Sequence, residues 1–429
     1  MKRDTLSLPA VLHISVLLAL LAAVFAARMP SVLCPDETMR YMLCDWMYQN
    51  GTLPAGYEPE LVATVWGYSY AFTPYLPTML SALFMRLAPA GANLLIAARL
   101  VGAAAYALLF VYAYLLGREL FSGIAAWWFA IVATALPQAF FCALYINNDI
   151  FSMLSCFMIA YCLVSGKRKG WTAGVCVHLG ISLAVCALSY YFAYGWILAA
   201  VIWCMADGIK SLSPARLRRA VLFVFLTAFV LAGWYFIRNA ILYHGDVFGI
   251  ATQHAQAEIR AAAGYDVHFG IPAELTPDMV SFWFKNTFRS FFAVFGPMNV
   301  FATDKYYTCF LLWMLAGVLP GLVHYAKKGE RAKGIALLML ILLPLALSMH
   351  RSFTYDNQFQ GRYLFSAWPA LLILTTNGYL WLGKQIGRLF VEKIRPVVEL
   401  LPIALASACF VYISVLAVAR YLLPLATGL

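Results

Sequence analysis

Charge is scarce in this chain. Only 11% of its 429 residues are Asp, Glu, Lys or Arg, and the 19 acids are outnumbered by 30 Lys and Arg. Signature motifs of soluble enzymes are missing as well. No P-loop, no GxGxxG ahead of a helix, no HExxH and no GxSxG occurs, so nucleotide hydrolysis, zinc proteolysis and serine acyl transfer lose their usual supports. The ten cysteines show no CxxC and no Cys/His ligand spacing. Cys142, Cys156, Cys162, Cys176, Cys186 and Cys204 lie in or beside apolar runs, as small lipid-tolerant residues do, and no zinc site is suggested. Whether Cys34 and Cys44 pair is left open by the sequence. No repeat of solenoid period is visible and no soluble domain is appended, so residues 1–429 read as a single transmembrane domain.

What is present is apolar. Hydrophobic residues make up 63% and aromatics 16%, and runs of about twenty apolar residues recur, the length a bilayer core of about 30 Å demands. The sequence therefore predicts an all-α polytopic membrane protein. A net charge of +11 could point to nucleic acid, but the Lys and Arg sit in short clusters between apolar runs, where orientation signals lie.

Hydropathy predicts spans over residues 8–27, 93–116, 124–144, 150–164, 171–188, 190–205, 220–237, 307–325, 334–349, 363–382 and 400–421. Residues 68–87, "YSYAFTPYLPTMLSALFMRL", are apolar but broken by Pro74 and Pro77. Charge decides their placement. If they span, the basic clusters "GKRKG", "KSLSPARLRR", "KKGERAK" and "KQIGRLFVEKIR" fall outside; if they lie in the interface, all four fall inside with more than half of the 30 Lys and Arg. The reading is eleven spans, N-terminus inside, with outer loops at about 28–92, 145–149, 238–306 and 350–362.

Ionisable groups at membrane depth are expensive, so a cluster of them on one side marks a candidate site. The outer loops hold Asp36 and Glu37 in "CPDE", Asp149 in "LYINNDIF", Arg238 in "WYFIRN", Lys285 and Arg289 in "FWFKNTFRSFFAVFG", and Arg351 and Arg362 in "HRSFTYDNQFQGRY". A carboxylate can accept a proton from an attacking hydroxyl, and guanidinium or ammonium groups can hold a phosphate. Together they suit group transfer from a phosphate-linked lipid. Pro35 fixes the backbone entering Asp36. Asp149 serves equally as an N-cap for the following helix. Arg362 opens a span at its outer end, where the helix dipole disfavours a cation and an anion would compensate.

In order along the chain, "PDE", "NGTLP", "NND", "WYFIRN", "FFAVFG" and "QGRYLFSAWP" resemble the GT-C class of integral membrane glycosyltransferases, in particular bacterial proteins similar to protein O-mannosyltransferases and aminoarabinose lipid A transferases. The resemblance implies a multi-pass protein of a bacterial cytoplasmic membrane, with interfacial helices in its first outer loop. It would move a sugar from a polyprenyl-phosphate carrier to a cell-envelope glycan, lipid or protein acceptor on the outer face, with inversion. On that resemblance Asp36 is the catalytic base with Glu37 beside it, Asp149 is the second-loop acid, and Arg238 and Arg362 hold the donor phosphate. Lys285, Arg289 and Arg351 join them as basic outer-loop candidates. Metal use varies within the class and stays open, with no cofactor certain and a divalent cation allowed. Two departures stand out: Arg40 occupies a place where many relatives have histidine, and the large soluble C-terminal domain of some relatives is absent.

Two other classes compete. A transporter or flippase for a lipid-linked sugar would place ionisable residues near the midplane on broken helices and show inverted repeats, neither of which is evident. A non-catalytic binding subunit would keep the arginines and have little need of Asp36.

Overall fold

The computed structural model describes residues 7–428. Helix α1 (Ser7–Arg28) leads into a long loop carrying α2 (Glu37–Asn50) and α3 (Leu76–Leu87). Then come α4 (Leu94–Leu120), α5 (Ile124–Thr134), α6 (Pro137–Cys142), α7 (Asp149–Lys169) and α8 (Ala173–Ala187). Next are α9 (Tyr194–Ser211), α10 (Pro214–Ala228) and α11 (Trp234–Leu242), the last two joined by a π-helical turn at Phe229–Gly233. A second long loop holds α12 (Ile250–Ala262) and α13 (Pro277–Phe292), followed by the two-residue strands β1 (Val294–Phe295) and β2 (Val300–Phe301), paired antiparallel. The chain then runs through α14 (Asp304–Lys327), α15 (Arg331–Thr354), α16 (Trp368–Gly387), α17 (Arg395–Ala417) and α18 (Leu423–Thr427).

Among the described residues eight helical segments are long and apolar enough to cross a membrane. This is a multi-pass, all-α membrane protein. The eight cover eight of the eleven expected spans, and the other three take forms that hydropathy does not show. Residues 124–144 are cut in two: Leu136 is held extended ahead of Pro137, and α6 restarts with that proline in its first turn, where a missing N–H costs nothing. Residues 171–188 form α8, only 15 residues long. Residues 363–382 open as a 3-10 turn, Gly361–Ala367, before α16 begins.

The ambiguous stretch 68–87 forms a short 3-10 turn, Tyr70–Phe72, and the 12-residue α3. At 1.5 Å per residue α3 is about 18 Å long, too short for a core of about 30 Å. It lies against α2 and α4.

Helix α7 is the axis of the bundle. In its apolar window 89% of residues are buried inside the protein, whereas lipid-facing spans keep an exposed stripe. It carries Asp149 at one end and Lys167, Arg168 and Lys169 at the other, and these define the two ends of the molecule. Without water to drive apolar surfaces together, close packing of small residues holds spans in contact. At the α14–α16 crossing a Cβ on Gly378 would lie 1.8 Å from the Gly317 carbonyl oxygen. All ten cysteines are free, Cys34 and Cys44 included.

Candidate functional site

The site starts at a strained turn. After α1 the chain makes a 3-10 turn, Ser31–Leu33, passes Pro35 and reaches Asp36 with φ 60° and ψ 2°. That left-handed conformation is unfavourable for residues with a Cβ, and Asp tolerates it better than most. Asp36 holds the N-cap position of α2, yet its side chain makes no cap bond there. Its Oδ2 instead accepts a hydrogen bond of 2.8 Å from Arg362, 326 residues away.

Arg362 is the hub. One guanidinium nitrogen donates to Asp36; Nε donates to Gln360 Oε1 at 2.6 Å; the remaining nitrogen donates to the Tyr145 hydroxyl at 3.3 Å and lies 3.6 Å from Asp149 Oδ2. Arg362 and Asp149 are buried, while Asp36 keeps 26% of its side chain open to solvent. The turn that delivers the guanidinium depends on Gly361. A Cβ there would sit 2.1 Å from the Phe291 backbone nitrogen on α13, and the Gly361 N–H donates to Ser290 Oγ at 2.7 Å. The glycine is required by packing against α13.

Asp149 is not the cap of α7. Asn147 does that work, its Oδ1 accepting from the backbone N–H groups of Asp149 at 2.8 Å and Ile150 at 3.3 Å. The Asp149 carboxylate is thereby left to face Arg362, and its Oδ1 is buried with no hydrogen-bond partner. Arg40, on the first turn of α2, completes the group. It donates to Asn148 Oδ1 at 3.0 Å and stacks 5.1 Å from the centre of the Tyr70 ring, and its Nε is buried without a partner. Asn148 in turn donates to the Pro74 carbonyl at 2.8 Å, tying the loop to the start of α3.

Glu37 sits next to Asp36 in sequence and faces the other way. It is fully buried in a two-point ion pair with Arg99 of α4, and its Oε1 also accepts from the Ile146 N–H at 3.1 Å. Arg99 uses its other donors on the carbonyls of Ala26 at 2.7 Å and Met29 at 2.6 Å. The Glu37–Arg99 pair therefore ties α1, α2, α4 and the 145–149 loop together and leaves Glu37 no capacity for chemistry. Expected as a catalytic neighbour, it serves as an anchor.

Of the remaining basic candidates, Arg238 and Arg289 point elsewhere. Arg238 donates to the carbonyls of Leu53, at 3.4 Å, and Pro54, at 2.5 Å, holding the first loop. Arg289 pairs with Asp304 and lies 5.3 Å from the centre of the Tyr307 ring. Lys285 is exposed midway along α13, whereas Arg351, in the last turn of α15, neighbours Tyr68, Tyr190 and Tyr363 beside the Asp36–Arg362 pair. Asp36, Asp149 and Arg362 are thus brought together from three loops, whereas Arg238, Lys285 and Arg289 are not in contact with them. Tyr145 and Gln360 join the site without having been expected there, and Arg40, noted in the sequence as a departure beside the acids, joins them.

Electrostatically, burial pushes the Asp36 carboxyl up, but the Arg362 and Arg40 guanidiniums outweigh it and hold it below the usual carboxylate range. A divalent cation does not suit this donor set. Arg362 already lies between the two carboxylates, and among the described residues no three His, Cys, Asp or Glu side chains are grouped as ligands.

No family model and no curated protein matches the sequence. Solved structures do match. The Archaeoglobus fulgidus oligosaccharyltransferase superposes with a TM-score of 0.58 at 15% identity, over 95% of this chain and 56% of its own. ArnT from Cupriavidus metallidurans superposes at 0.53 and 14% identity over 97% of this chain and 77% of its own, and at 0.52 and 14% over 94% and 77% in its form bound to undecaprenyl phosphate. The chain has the GT-C fold. It spans 56% of the length of the archaeal enzyme. At such identities the likeness is one of fold, and what the GT-C site does here must be argued from its own residues.

Proposed function

We propose that this protein is a glycosyltransferase that moves a sugar from a polyprenyl-phosphate carrier to an acceptor hydroxyl at the end of the bundle bearing Asp36. One observation carries the reading: on a GT-C scaffold, a partly exposed carboxylate on a strained turn contacts a buried arginine from a distant loop. The ArnT structure bound to undecaprenyl phosphate supports a carrier of this class.

In the transfer, the bond from the anomeric carbon to the carrier phosphate oxygen breaks as the acceptor oxygen bonds to that carbon from the opposite side. The acceptor proton passes to Asp36, and the carrier leaves as a phosphate anion. Arg362 and Arg40 supply charge where the leaving phosphate becomes negative, which lowers the barrier only because that charge grows in the transition state. Without donor, Asp36 is occupied by Arg362. A donor phosphate competes for the guanidinium, so its arrival frees the carboxylate and raises its basicity at the moment a base is needed. Asp149, with one oxygen unpartnered, keeps Arg362 oriented through the exchange.

Purified protein incubated with a panel of labelled polyprenyl-phosphate sugars tests the reading. Sugar release or transfer that Asp36→Asn abolishes, with carrier binding retained, is the expected result. Carrier binding with no release from any donor would leave a non-catalytic binder. Movement of labelled carrier between leaflets that Asp36→Asn does not affect would indicate a flippase.

A further inference from the structure

Between α15 and the 3-10 turn that carries Arg362, residues 356–360 form no helix or strand, and Gln360 is extended. In an extended chain alternate side chains leave on one face. Asp356, Gln358 and Gln360 stand at that spacing, and they form a row that ends on Arg362. Arg362 Nε donates to Gln360 Oε1 at 2.6 Å, Gln360 Nε2 donates to Gln358 Oε1 at 2.5 Å, and Gln358 Nε2 donates to Asp356 Oδ2 at 2.6 Å. The two ends fix the sense of the row. A guanidinium has only donors and a carboxylate only acceptors, so each amide between them satisfies both neighbours in one orientation alone. The bonds at both ends are charge-assisted, and aligned donors polarise one another, which makes the row stronger than three separate amide contacts.

The backbone behind the row is pinned from both sides. Ser352 Oγ donates to the Gln358 carbonyl at 2.8 Å, accepts from the Gln358 N–H at 3.3 Å and accepts from the Trp283 indole N–H at 2.8 Å. Ser290 of α13 donates to the Phe359 carbonyl at 3.0 Å and accepts from the Gly361 N–H. Nearer the surface the Asn357 N–H donates to the Ile271 carbonyl at 2.8 Å, and the Ala273 N–H donates to the Ser352 carbonyl at 2.8 Å. Asp356 is therefore a fixed anion at the outer end of the row. At the inner end, Nε of Arg362 has one hydrogen, and the row takes it. The other two guanidinium nitrogens face Asp36, Tyr145 and Asp149.

We infer that Asp356, Gln358 and Gln360 form a polarised relay that positions Arg362 for the carrier phosphate, Asp356 and Gln358 being positioning residues that act through Gln360. The inference rests on the carrier reading above: a phosphate takes over the nitrogen that Asp36 holds while Nε stays tethered.

The test titrates the full-length protein in detergent with undecaprenyl phosphate and counts bound carrier by native mass spectrometry. Arg362→Gln, which removes the cation, should weaken binding by about a hundredfold. Asp356→Ala and Gln358→Met should each weaken it by about tenfold, the worth of a charge-assisted hydrogen bond. The double variant Asp356→Ala/Gln358→Met should lose no more than either single one, because each opens the same chain. Asp356→Ala/Gln360→Glu keeps the net charge and moves the carboxylate directly onto Arg362, so it should recover most of the affinity, which the loss of a mere loop contact at Asp356 would not allow. Wild-type affinity in both single variants beside weakened binding in Arg362→Gln would overturn the relay and leave the carrier reading standing. Additive losses in the double variant, or no recovery in Asp356→Ala/Gln360→Glu, would also overturn the relay. Unchanged binding in Arg362→Gln would overturn the carrier reading and the relay with it. Asp356 and Gln358 are half-buried, and Asp356→Asn, which keeps the acceptor oxygen and the volume but not the charge, should lose about threefold; full affinity there would count against the relay even if Asp356→Ala failed to fold.

Discussion

Replacing Arg362 by Gln removes the charge that holds the Asp36 carboxyl low while keeping a hydrogen-bond donor at the same place. In the native site burial raises this carboxyl, and Arg362 and Arg40 more than reverse that. An adjacent guanidinium lowers a carboxyl by about one to three pH units, each worth about 1.36 kcal/mol. Without Arg362, burial and the neighbouring Asp149 carboxylate act unopposed except by Arg40. The acid limb of kcat/KM, which reports the base of the free enzyme, should therefore move up by about one to three pH units. Donor use should fall in addition, by about 2–5 kcal/mol, as when one partner of a buried charged pair is lost. Arg362→Lys should fall between, because an ammonium keeps the charge but not the fork that reaches Asp36, Gln360 and Tyr145 together.

Stability gives an independent reading of the same pair. A carboxyl held low in the folded state contributes stability that is fully present above its unfolded value of about 3.9 and lost as pH falls through the folded value. Wild type should thus melt at a constant temperature from pH 7 to about 5 on account of this group, while Arg362→Gln melts lower throughout. Profiles recorded with purified protein and labelled donor decide the issue. An acid limb at the same pH in wild type and Arg362→Gln would refute the electrostatic coupling, and Asp36 could then no longer be the base whose proton affinity Arg362 controls.

Asp36→Asn, which keeps the size and hydrogen bonding of the side chain, should lower turnover about a hundredfold or more with carrier affinity intact, measured as initial rate against donor concentration. Glu37→Leu should cost about 3–5 kcal/mol of stability by leaving Arg99 buried and unpaired, and Glu37→Leu/Arg99→Met should recover most of it; thermal melts in one detergent check both. In a Cys-free background, a single cysteine at Gly170 should be shielded in intact cells from an impermeant thiol reagent that labels one at Asn50 or Gln358, and labelling at Gly170 would reverse the assigned orientation.

Much of the fold was legible because the bilayer imposes it: apolar length alone marks where helices fall. What escaped was local. Pro137 cuts one apolar run into α5 and α6, an effect hydropathy averages away. The site was legible as a set of loops and less so as a set of contacts. Asp36, Asp149 and Arg362 stood out because each is an ionisable group at a span end, Asp36 next to a proline that fixes its backbone. Arg238 and Arg289 carry the same sequence cues, basic residues among aromatics at helix ends, yet their guanidiniums turn to Pro54 and Asp304. Nothing in a single sequence records that choice. Arg99 could have been found, since an arginine inside the apolar run of α4 needs a buried partner; Glu37, read as a catalytic neighbour, was the acid that supplies it.

The two adjacent acids of "PDE" take opposite fates for one geometric reason. Asp36 is left-handed and Glu37 begins α2, so the backbone turns between them and their side chains leave on different sides. One side meets Arg99 and the core, the other meets Arg362 and solvent. The buried Glu37–Arg99 pair holds α1, α2, α4 and Ile146 in place, and that rigidity keeps Asp36 in a conformation its own side chain disfavours. A carboxylate so fixed cannot follow Arg362 when a phosphate draws the guanidinium away. Separation of the two, rather than their joint movement, is what would leave a free base beside the acceptor.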